Sequence, residues 1–287
     1  IMYRGTGRNF NPIFATAAKV TIAEVDEIQS ASELDPETVA TPGVFIDRVI
    51  RRKDPVSRNT MVQLIRRHGR VVNPGDDQLS PHAGLTRDLM AARAARLLDG
   101  HKYVNLGIGL PTLVCSFVGD KVTLHAENGV LGYGSLTTPE EGDLDVYNAG
   151  SQFVTLNYGA SFFDSAQAFA MARGGHLDAV VLGGFQVSSQ GDLANWKSPH
   201  MSAGSVGGAM DLASGGAEVI VLMHHTTKEG EPKLVPECTY PLTAPRCVSW
   251  VVTNLALIQV TSEGLLLKEI AHGIPVNQVL KATSAPL

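Results

Sequence analysis

The residues best suited to chemistry in this chain lie between Leu124 and Gly132, in the order Leu-His-Ala-Glu-Asn-Gly-Val-Leu-Gly. A short β-like run leads here into a glycine-rich turn that presents one carboxylate, Glu127. Glycines let the backbone adopt positive φ and let a large substrate come close, and the flanking sequence supplies no basic partner. The pattern therefore predicts a nucleophilic Glu127. The alternative is a structural turn whose glutamate caps a following helix.

Other candidate residues follow apolar runs that predict buried strands. The segment Gly107-Ile108-Gly109 follows one such run, and Gly183-Gly184 follows another. Ligands of open α/β sheets bind beyond the carboxyl ends of strands, so these glycine-rich segments are predicted to bind substrate. Gly107 and Gly109 lack the third glycine of a dinucleotide fingerprint, which disfavours a Rossmann cofactor.

The elements that position these residues alternate along the chain from His82 onwards. Leu85, Leu89, Ala92 and Leu97 keep helical spacing, with Gly100 as the stop. A second helix is predicted from a cap at Asp164 or Ser165 to Arg173, closed by Gly174-Gly175. Buried strands are predicted at 103–106, 122–125, 179–182, 219–223, 248–252 and 265–270. Strands separated by helices predict an α/β fold of three α/β/α layers with an open, mainly parallel sheet.

Composition excludes several classes of function. A net charge of −5 provides no attraction for nucleic acid, and no apolar run is long enough to span a membrane. Cys115, Cys238 and Cys247 are odd in number and lack metal-type spacing, which favours free thiols in a reducing compartment. The adjacent His224 and His225 point to opposite faces, so no metal site is predicted. Without a charged-then-apolar leader, we expect a cytoplasmic protein, or a mitochondrial matrix protein if the source is eukaryotic.

Four blocks of sequence resemble the class I, glutamate-dependent CoA-transferases, in the order that this family has. The first is Tyr103 to Pro111, the second contains Glu127, the third is Gly191 to Trp196 and the fourth is Gly207 to Leu212. The active-site signature of the family has serine where this chain has Ala126. The resemblance runs from the first residues to about residue 282 and is greatest for the fused type that acts on succinyl-CoA and 3-keto acids.

The resemblance implies roles for individual residues. Glu127 would carry a glutamyl-CoA thioester, Gly208 matches the backbone oxyanion donor, and Asn105 matches an active-site asparagine. Asn128 would orient the Glu127 carboxylate or stabilise the turn. No metal and no cofactor are implied, because coenzyme A is a substrate. The residues expected to bind substrate or CoA are Gly107, Ile108, Gly109, Gly129, Gly183, Gly184 and Gly207.

The resemblance also implies a division of the chain. Residues 1–50 resemble the C-terminal remnant of an α-type domain, residues 51–77 a linker, and residues 78–287 the β-type catalytic domain. We therefore expect the α-type half or subunit as a partner, in a homo- or hetero-oligomer.

The predicted function is transfer of CoA from an acyl-CoA, with succinyl-CoA expected, to a 3-keto acid such as acetoacetate. Acetate, butyrate or 3-oxoadipate as the acceptor stays open. A different enzyme on the same sheet, such as a sugar-phosphate isomerase, would leave the Glu127 segment unexplained. A non-catalytic subunit that binds CoA or scaffolds a partner is the remaining alternative, and Ala126 is the only residue that suggests it.

Overall fold

The computed structural model describes residues 1–53, 84–138, 140–199 and 201–287. These residues form two compact units, and each unit is made from separate stretches of the chain. The described residues of the first unit are 1–53, 126–138 and 140–168, and those of the second are 84–125, 169–199 and 201–287. Most of the predicted linker, residues 54–77, lies outside the described residues, and the predicted domain boundaries stay a prediction.

The elements are numbered here in chain order over the described residues. The helices are α1 (Asn11–Ala17), α2 (Arg87–Leu97), α3 (Ser165–Arg173), α4 (Ala209–Ser214) and α5 (Val276–Lys281). The strands are β1 (Ile22–Val25), β2 (Arg48–Arg51), β3 (Tyr103–Leu106), β4 (Thr123–Ala126), β5 (Val130–Leu136), β6 (Val154–Phe162), β7 (Ala179–Leu182), β8 (Gln186–Ser188), β9 (Leu193–Ala194), β10 (Glu218–Leu222), β11 (Leu234–Val235), β12 (Val248–Val252), β13 (Ala256–Thr261) and β14 (Gly264–Ile270). Short 3-10 helices cover Gly5–Arg8, Ala31–Glu33, Pro36–Thr38, Gly43–Phe45 and Leu110–Ser116.

The first unit contains two strand pairs. Strands β1 and β2 are parallel, with Ile22 opposite Arg48. Strands β5 and β6 form an antiparallel pair in which Val130 lies opposite Phe162. The long strand β6 is exposed from residue 155 to residue 159, so it lacks the buried face by which a strand is recognised in a sequence.

The second unit is built on a large sheet whose strands lie in the order β14-β13-β12-β10-β7-β3-β4. The strands from β4 to β12 in this order pair in parallel, whereas β13 and β14 pair antiparallel. A smaller sheet has the order β11-β8-β9. The prediction of an α/β fold with a mainly parallel sheet is confirmed.

The central strand β7 shows why the apolar runs were recognisable. Its four residues, Ala-Val-Val-Leu, are at most 2% exposed, as expected for a parallel strand covered on both faces. Val180 and Leu182 share a core with apolar residues of β10, β12 and β13. β-Branched side chains suit such strands because they are already restricted at χ1.

Both predicted helices are present, with Gly100 beyond the end of the first and Asp164 as the cap of the second, as predicted. Thr86 accepts a hydrogen bond from Leu89 N–H at 3.3 Å at the start of α2, and Gly100 has φ +95° beyond its end. Asp164 caps α3, because its Oδ1 accepts from Gln167 N–H at 2.8 Å. No helix in the described ranges is both long and apolar enough to cross a membrane.

Candidate active site

In the first unit, Glu127 lies in a tight turn between β4 and β5. The turn is closed by a hydrogen bond from Gly129 N–H to the carbonyl of Ala126, 3.0 Å long. The side chain of Ala126 is fully buried, whereas Glu127 is half-buried. The turn therefore holds the backbone of Glu127 while part of its surface stays open to solvent.

Gly129 has a structural reason to be glycine. Its φ is +111°, and a Cβ atom placed on it would lie 2.0 Å from the carbonyl oxygen of Phe163. The amide of Phe163 in turn donates to the carbonyl of Gly129 at 3.1 Å. A side chain here would clash with backbone, so the position requires glycine whatever its role in binding substrate.

Asn128 directly follows Glu127 and is buried. Its Nδ2 donates to the carbonyl of Tyr147 at 2.9 Å. Its Oδ1 accepts no hydrogen bond within the described part of the chain. Of the two roles expected for Asn128, the geometry favours stabilising the turn.

In the second unit, Asn105 and His125 form a buried pair. They lie opposite each other on the parallel strands β3 and β4, and both are 0% exposed. Asn105 Nδ2 lies 3.0 Å from His125 Nδ1 and 3.2 Å from the carbonyl of His125. Because the carbonyl can only accept, Nδ2 is the donor, and Nδ1 is the unprotonated ring nitrogen. The sequence indicated Asn105 as a site residue, but it did not predict the contact with His125, which depends on the strand register.

The predicted glycine segments follow adjacent strands of the same sheet. Gly107 N–H donates to the carbonyl of Val181 at 2.8 Å, which ties the end of β3 to β7. Ile108 is 65% exposed. A Cβ atom on Gly183 would meet nothing within 4 Å, whereas one on Gly184 would enter the core. Both segments thus lie at the carboxyl edge of the sheet, where α/β proteins bind ligands.

A hydrogen-bond network that the sequence did not indicate surrounds Gly183. Asn195 Nδ2 donates to the carbonyl of Gly183 at 3.0 Å, and the Thr243 hydroxyl donates to Asn195 Oδ1 at 2.6 Å. Next to it, Trp196 Nε1 donates to the carbonyl of Leu242 at 3.1 Å. Asn195 and Trp196 belong to the third family-like block, whose residues had no assigned role.

The same tryptophan contacts the segment that leads to Gly208. The carbonyl of Trp196 accepts from Ser205 N–H at 2.8 Å, and a Cβ atom on Gly204 would lie 2.7 Å from the indole ring. Gly207 is exposed with φ +53°, and Gly208 is the residue before α4. The structure therefore connects the third and fourth family-like blocks through Trp196.

The two adjacent histidines differ in environment. His224 is half-buried, whereas His225 is fully buried, with Nδ1 2.9 Å from Thr253 Oγ1 and Nε2 2.8 Å from Thr283 Oγ1. Burial lowers the pKa of His225 to about 4. Both ring nitrogens of His225 are thus engaged by threonines. Within the described residues, His, Cys, Asp and Glu side chains form no group of three suited to a metal ion.

Cys238 and Cys247 form no disulfide within the described residues, and both are poor nucleophiles. Burial raises the pKa of the Cys238 and Cys247 thiols to about 11. A thiol with such a pKa is almost entirely protonated at neutral pH, and the thiolate is the reactive form. Neither of these cysteines therefore competes with a carboxylate as the nucleophile.

The predicted site residues fall into two groups. The first unit holds Glu127, Asn128 and Gly129. The second unit holds Asn105, the segment 107–109, Gly183, Gly184, Gly207 and Gly208. The predicted roles of these residues in catalysis and binding stay predictions.

Comparison with known proteins identifies the family. The sequence matches the Coenzyme A transferase family over residues 1–52 and 87–282. A Pseudomonas putida protein, named as one of the subunits of 3-oxoadipate CoA-transferase, is 54% identical over 205 residues, which cover 71% of this chain and 96% of that protein. The chain therefore belongs to the Coenzyme A transferase family. The prediction of an enzyme of the class I CoA-transferase type is confirmed.

Two longer proteins are also similar to this chain. A Mus musculus protein named succinyl-CoA:3-ketoacid coenzyme A transferase 2A, mitochondrial, is 41% identical over 289 residues, which cover 99% of this chain and 54% of that protein. The crystal structure of the acyl-CoA transferase YdiF apoenzyme from Escherichia coli O157:H7 matches this chain with a TM-score of 0.70 at 19% identity. The match covers 98% of this chain and 56% of the YdiF chain. The chain thus spans about half the length of both proteins. The structural similarity supports the fold.

Proposed function

We propose that this chain transfers CoA from an acyl-CoA to a carboxylic acid through a thioester on Glu127. The observation that carries the proposal is the position of Glu127 in a closed, half-buried turn, held by the bond from Gly129 to Ala126. A carboxylate is a weak nucleophile, so its rate of attack depends on positioning and on stabilising the developing oxyanion. The closed turn provides the positioning of the carboxylate.

The reaction proceeds in two symmetrical halves. The Glu127 carboxylate attacks the thioester carbonyl, the C–S bond breaks, and a mixed anhydride and CoA thiolate form. The thiolate attacks the glutamyl carbonyl of the anhydride, which releases the donor acid as its carboxylate and leaves a glutamyl-CoA thioester. The acceptor carboxylate then attacks this thioester and repeats the sequence in reverse, which regenerates Glu127. No external oxidant, metal or cofactor is needed to balance these steps.

The glycines of the second unit are assigned to CoA and to the oxyanion. Gly208 is proposed to donate its backbone N–H to the oxyanion, and Gly107, Gly109, Gly183 and Gly207 to leave room for the thioester and CoA. Their positions at strand ends and before α4 support this assignment. Gly129, Gly184 and the exposed Ile108 are proposed to contact substrate or CoA, and Asn105, which bonds to His125, is proposed as an active-site asparagine.

The proposed substrates are succinyl-CoA and a 3-keto acid. The name of the mouse relative supports acetoacetate or a similar 3-keto acid as acceptor. The name of the Pseudomonas putida relative, which has the higher identity, supports 3-oxoadipate as a second candidate. 3-Oxoadipate carries a second carboxylate on a longer carbon chain than acetoacetate, so competition between the two acids in one assay measures whether the site prefers the longer dicarboxylate.

An α-type half or subunit is the proposed partner. The Pseudomonas putida relative is itself named as one subunit of its enzyme, which supports a second kind of subunit. The first unit also exposes apolar side chains that favour association, including Phe14 at 64% and Val44 at 85% exposure. Turnover by the chain alone, equal to its turnover with an α-type half, would contradict this partner.

Covalent labelling tests the proposed function. Incubation with acyl-CoA, followed by peptide mass analysis, should place a CoA adduct on Glu127, and borohydride should reduce it. Glu127→Gln keeps the shape but removes the anionic nucleophile, so turnover should fall to background. Glu141→Gln, an exposed glutamate of the same unit, is the matched control and should keep full activity. CoA binding without an adduct would support the non-catalytic alternative instead, and an adduct on another residue would refute the role of Glu127.

A further inference from the structure

The segment Arg4–Thr6 is bound tightly to the loop that carries Tyr147. Thr6 is 0% exposed, and its N–H donates to the carbonyl of Asp145 at 2.8 Å. A Cβ atom on Gly5 would lie 2.0 Å from the same carbonyl oxygen, so the two backbones are in direct contact. Arg4 Nε adds an ion pair with the Asp145 carboxylate at 3.0 Å.

The hydroxyl of Thr6 links two backbone groups of this loop. It donates to the carbonyl of Asp145 at 3.0 Å and accepts from Tyr147 N–H at 3.2 Å. A hydroxyl can donate once and accept at the same time, so one buried oxygen fixes both ends of the peptide stretch from Asp145 to Tyr147.

The next contact along this path reaches the neighbour of the nucleophile. The carbonyl of Tyr147 accepts the bond from Asn128 Nδ2 at 2.9 Å. Because Asn128 Oδ1 accepts no bond from the described residues, the Tyr147 carbonyl is what orients this amide. Glu127 and Asn128 are the two central residues of the turn that Ala126 and Gly129 close.

We propose that Thr6 is a positioning residue for the nucleophile, acting through Tyr147 and Asn128 on the turn that presents Glu127. The inference rests on the proposed function and assigns a task to a residue that is 121 positions away in sequence from Glu127. Thr6 does not touch the carboxylate. It fixes the loop whose carbonyl holds the turn, so its loss increases the range of orientations that Glu127 samples before attack.

The test compares Thr6→Val with Thr6→Ser in the chain assayed together with an α-type half. Valine has nearly the shape of threonine without the hydroxyl, whereas serine keeps it. We expect Thr6→Val to slow formation of the Glu127 adduct in a single turnover by roughly fivefold or more, with the Kd for acyl-CoA unchanged. Thr6→Ser should restore the rate. Thr16→Val is the matched control, because the Thr16 hydroxyl is exposed and bonds only within its own helix, to Ile13 at 2.8 Å.

A second measurement reads the turn without any catalysis. The amide of Gly129 closes the turn, so its hydrogen-exchange protection should fall in Thr6→Val and recover in Thr6→Ser. If Thr6→Val does not fold, Asn128→Asp replaces it, because a carboxylate cannot donate to the Tyr147 carbonyl, and the same two changes are expected.

The outcomes separate the two proposals. Normal adduct formation and normal Gly129 protection in a folded Thr6→Val protein would overturn the inference. The inference would also be overturned if Thr6→Val formed the adduct slowly, Thr6→Ser did not restore the rate, and acyl-CoA binding weakened by the same factor. If the unaltered protein forms no adduct on Glu127, the proposed function fails, while the exchange of the Gly129 amide still decides whether Thr6 holds the turn.

Discussion

His225 makes the stability of the second unit dependent on pH. Thr283 Oγ1 donates to the carbonyl of Val279 at 2.8 Å, so it meets the Nε2 of His225, also 2.8 Å away, as an acceptor. Nε2 is therefore protonated, and the opposite ring nitrogen, Nδ1, lies 2.9 Å from Thr253 Oγ1. A neutral imidazole satisfies this arrangement, whereas a second proton on Nδ1 would place a charge in a buried site.

The pKa difference sets the size of the effect. Burial lowers the pKa of His225 from 6.5 to about 4 in the folded protein. Below pH 6.5 the unfolded chain binds a proton that the folded chain does not bind, so unfolding is favoured as the pH falls. The contribution is fully present above pH 6.5 and is lost as the pH falls to about 4. A pKa difference of about 2.5, at 1.36 kcal/mol for each pH unit, corresponds to about 3 kcal/mol.

Tryptophan fluorescence can follow the unit that contains His225. The two tryptophans of the chain, Trp196 and Trp250, both lie in the second unit. The free energy of unfolding, obtained from urea titrations at several pH values between 7 and 4.5, should fall with a slope that His225→Gln reduces. Glutamine keeps polar groups at the site but does not titrate. His272→Gln, at an exposed histidine, should keep the slope of the unaltered protein.

The reasoning would be refuted by equal slopes in the unaltered protein and in His225→Gln. It would also be refuted by a slope of the opposite sign, because that would mean that the folded protein binds the proton more tightly. A lower stability of His225→Gln at pH 7 does not contradict it, since that variant loses the two hydrogen bonds at every pH.

Three glycines offer further tests. Gly183→Ala places its methyl group in open space, so the melting temperature should hold while the KM for acyl-CoA rises. Gly184→Ala places a Cβ atom 2.8 Å from Val221 Cγ1 and 2.9 Å from Met223 Sδ, and should cost about 1–3 kcal/mol of stability in urea unfolding. Equal stability losses in these two variants would contradict the placement of Gly183 beside open space and of Gly184 against the core. Gly208→Val should reduce kcat by on the order of a hundredfold, and a folded variant with normal kcat would remove Gly208 from the oxyanion site.

The strands that the sequence predicted are those with a strong burial signal. The runs 103–106, 179–182 and 248–252 match β3, β7 and β12 because apolar side chains fill both faces of these strands. Strand β13 was missed although it is apolar. The turn before it lacks glycine and proline and is instead formed by Thr253, whose hydroxyl accepts bonds from the backbone. Side-chain turns of this kind give a weak signal in a sequence.

The helix α2 was predicted, but the face that it buries is not the face that the spacing of its leucines indicates. Leu89 is 54% exposed, whereas Met90, Ala91, Ala94 and Ala95 are buried. Alanine has little apolar surface of its own, so the spacing of the leucines dominated the pattern. The face with Ala91, Ala94 and Ala95 is buried because of tertiary packing, which a single sequence does not show.

The sequence predicted which residues belong to the candidate site, but it did not predict the contacts between them. Glu127 stands out because a carboxylate in a glycine-rich turn is unusual and because the surrounding motif resembles a known family. The pairing of Asn105 with His125 depends on the register of β3 and β4. The bond between Thr6 and Tyr147 spans 141 positions, and nothing near Thr6 in the sequence indicates it.

That separation has a consequence for the synthesis of the protein. Thr6 binds Asp145, which is 139 positions further along the chain. At roughly 5–20 residues per second, the ribosome adds those residues in about 7–28 s. During this interval the segment around Thr6 has been synthesised and the loop that it binds has not. The contact can therefore form only after residue 145 has been added. The slow closure of a loop of this length makes completion of the first unit a late event in the life of each nascent chain. A ribosome that stalls between residues 129 and 145 leaves a polypeptide that contains the Glu127 turn but lacks the loop that joins this turn to Thr6.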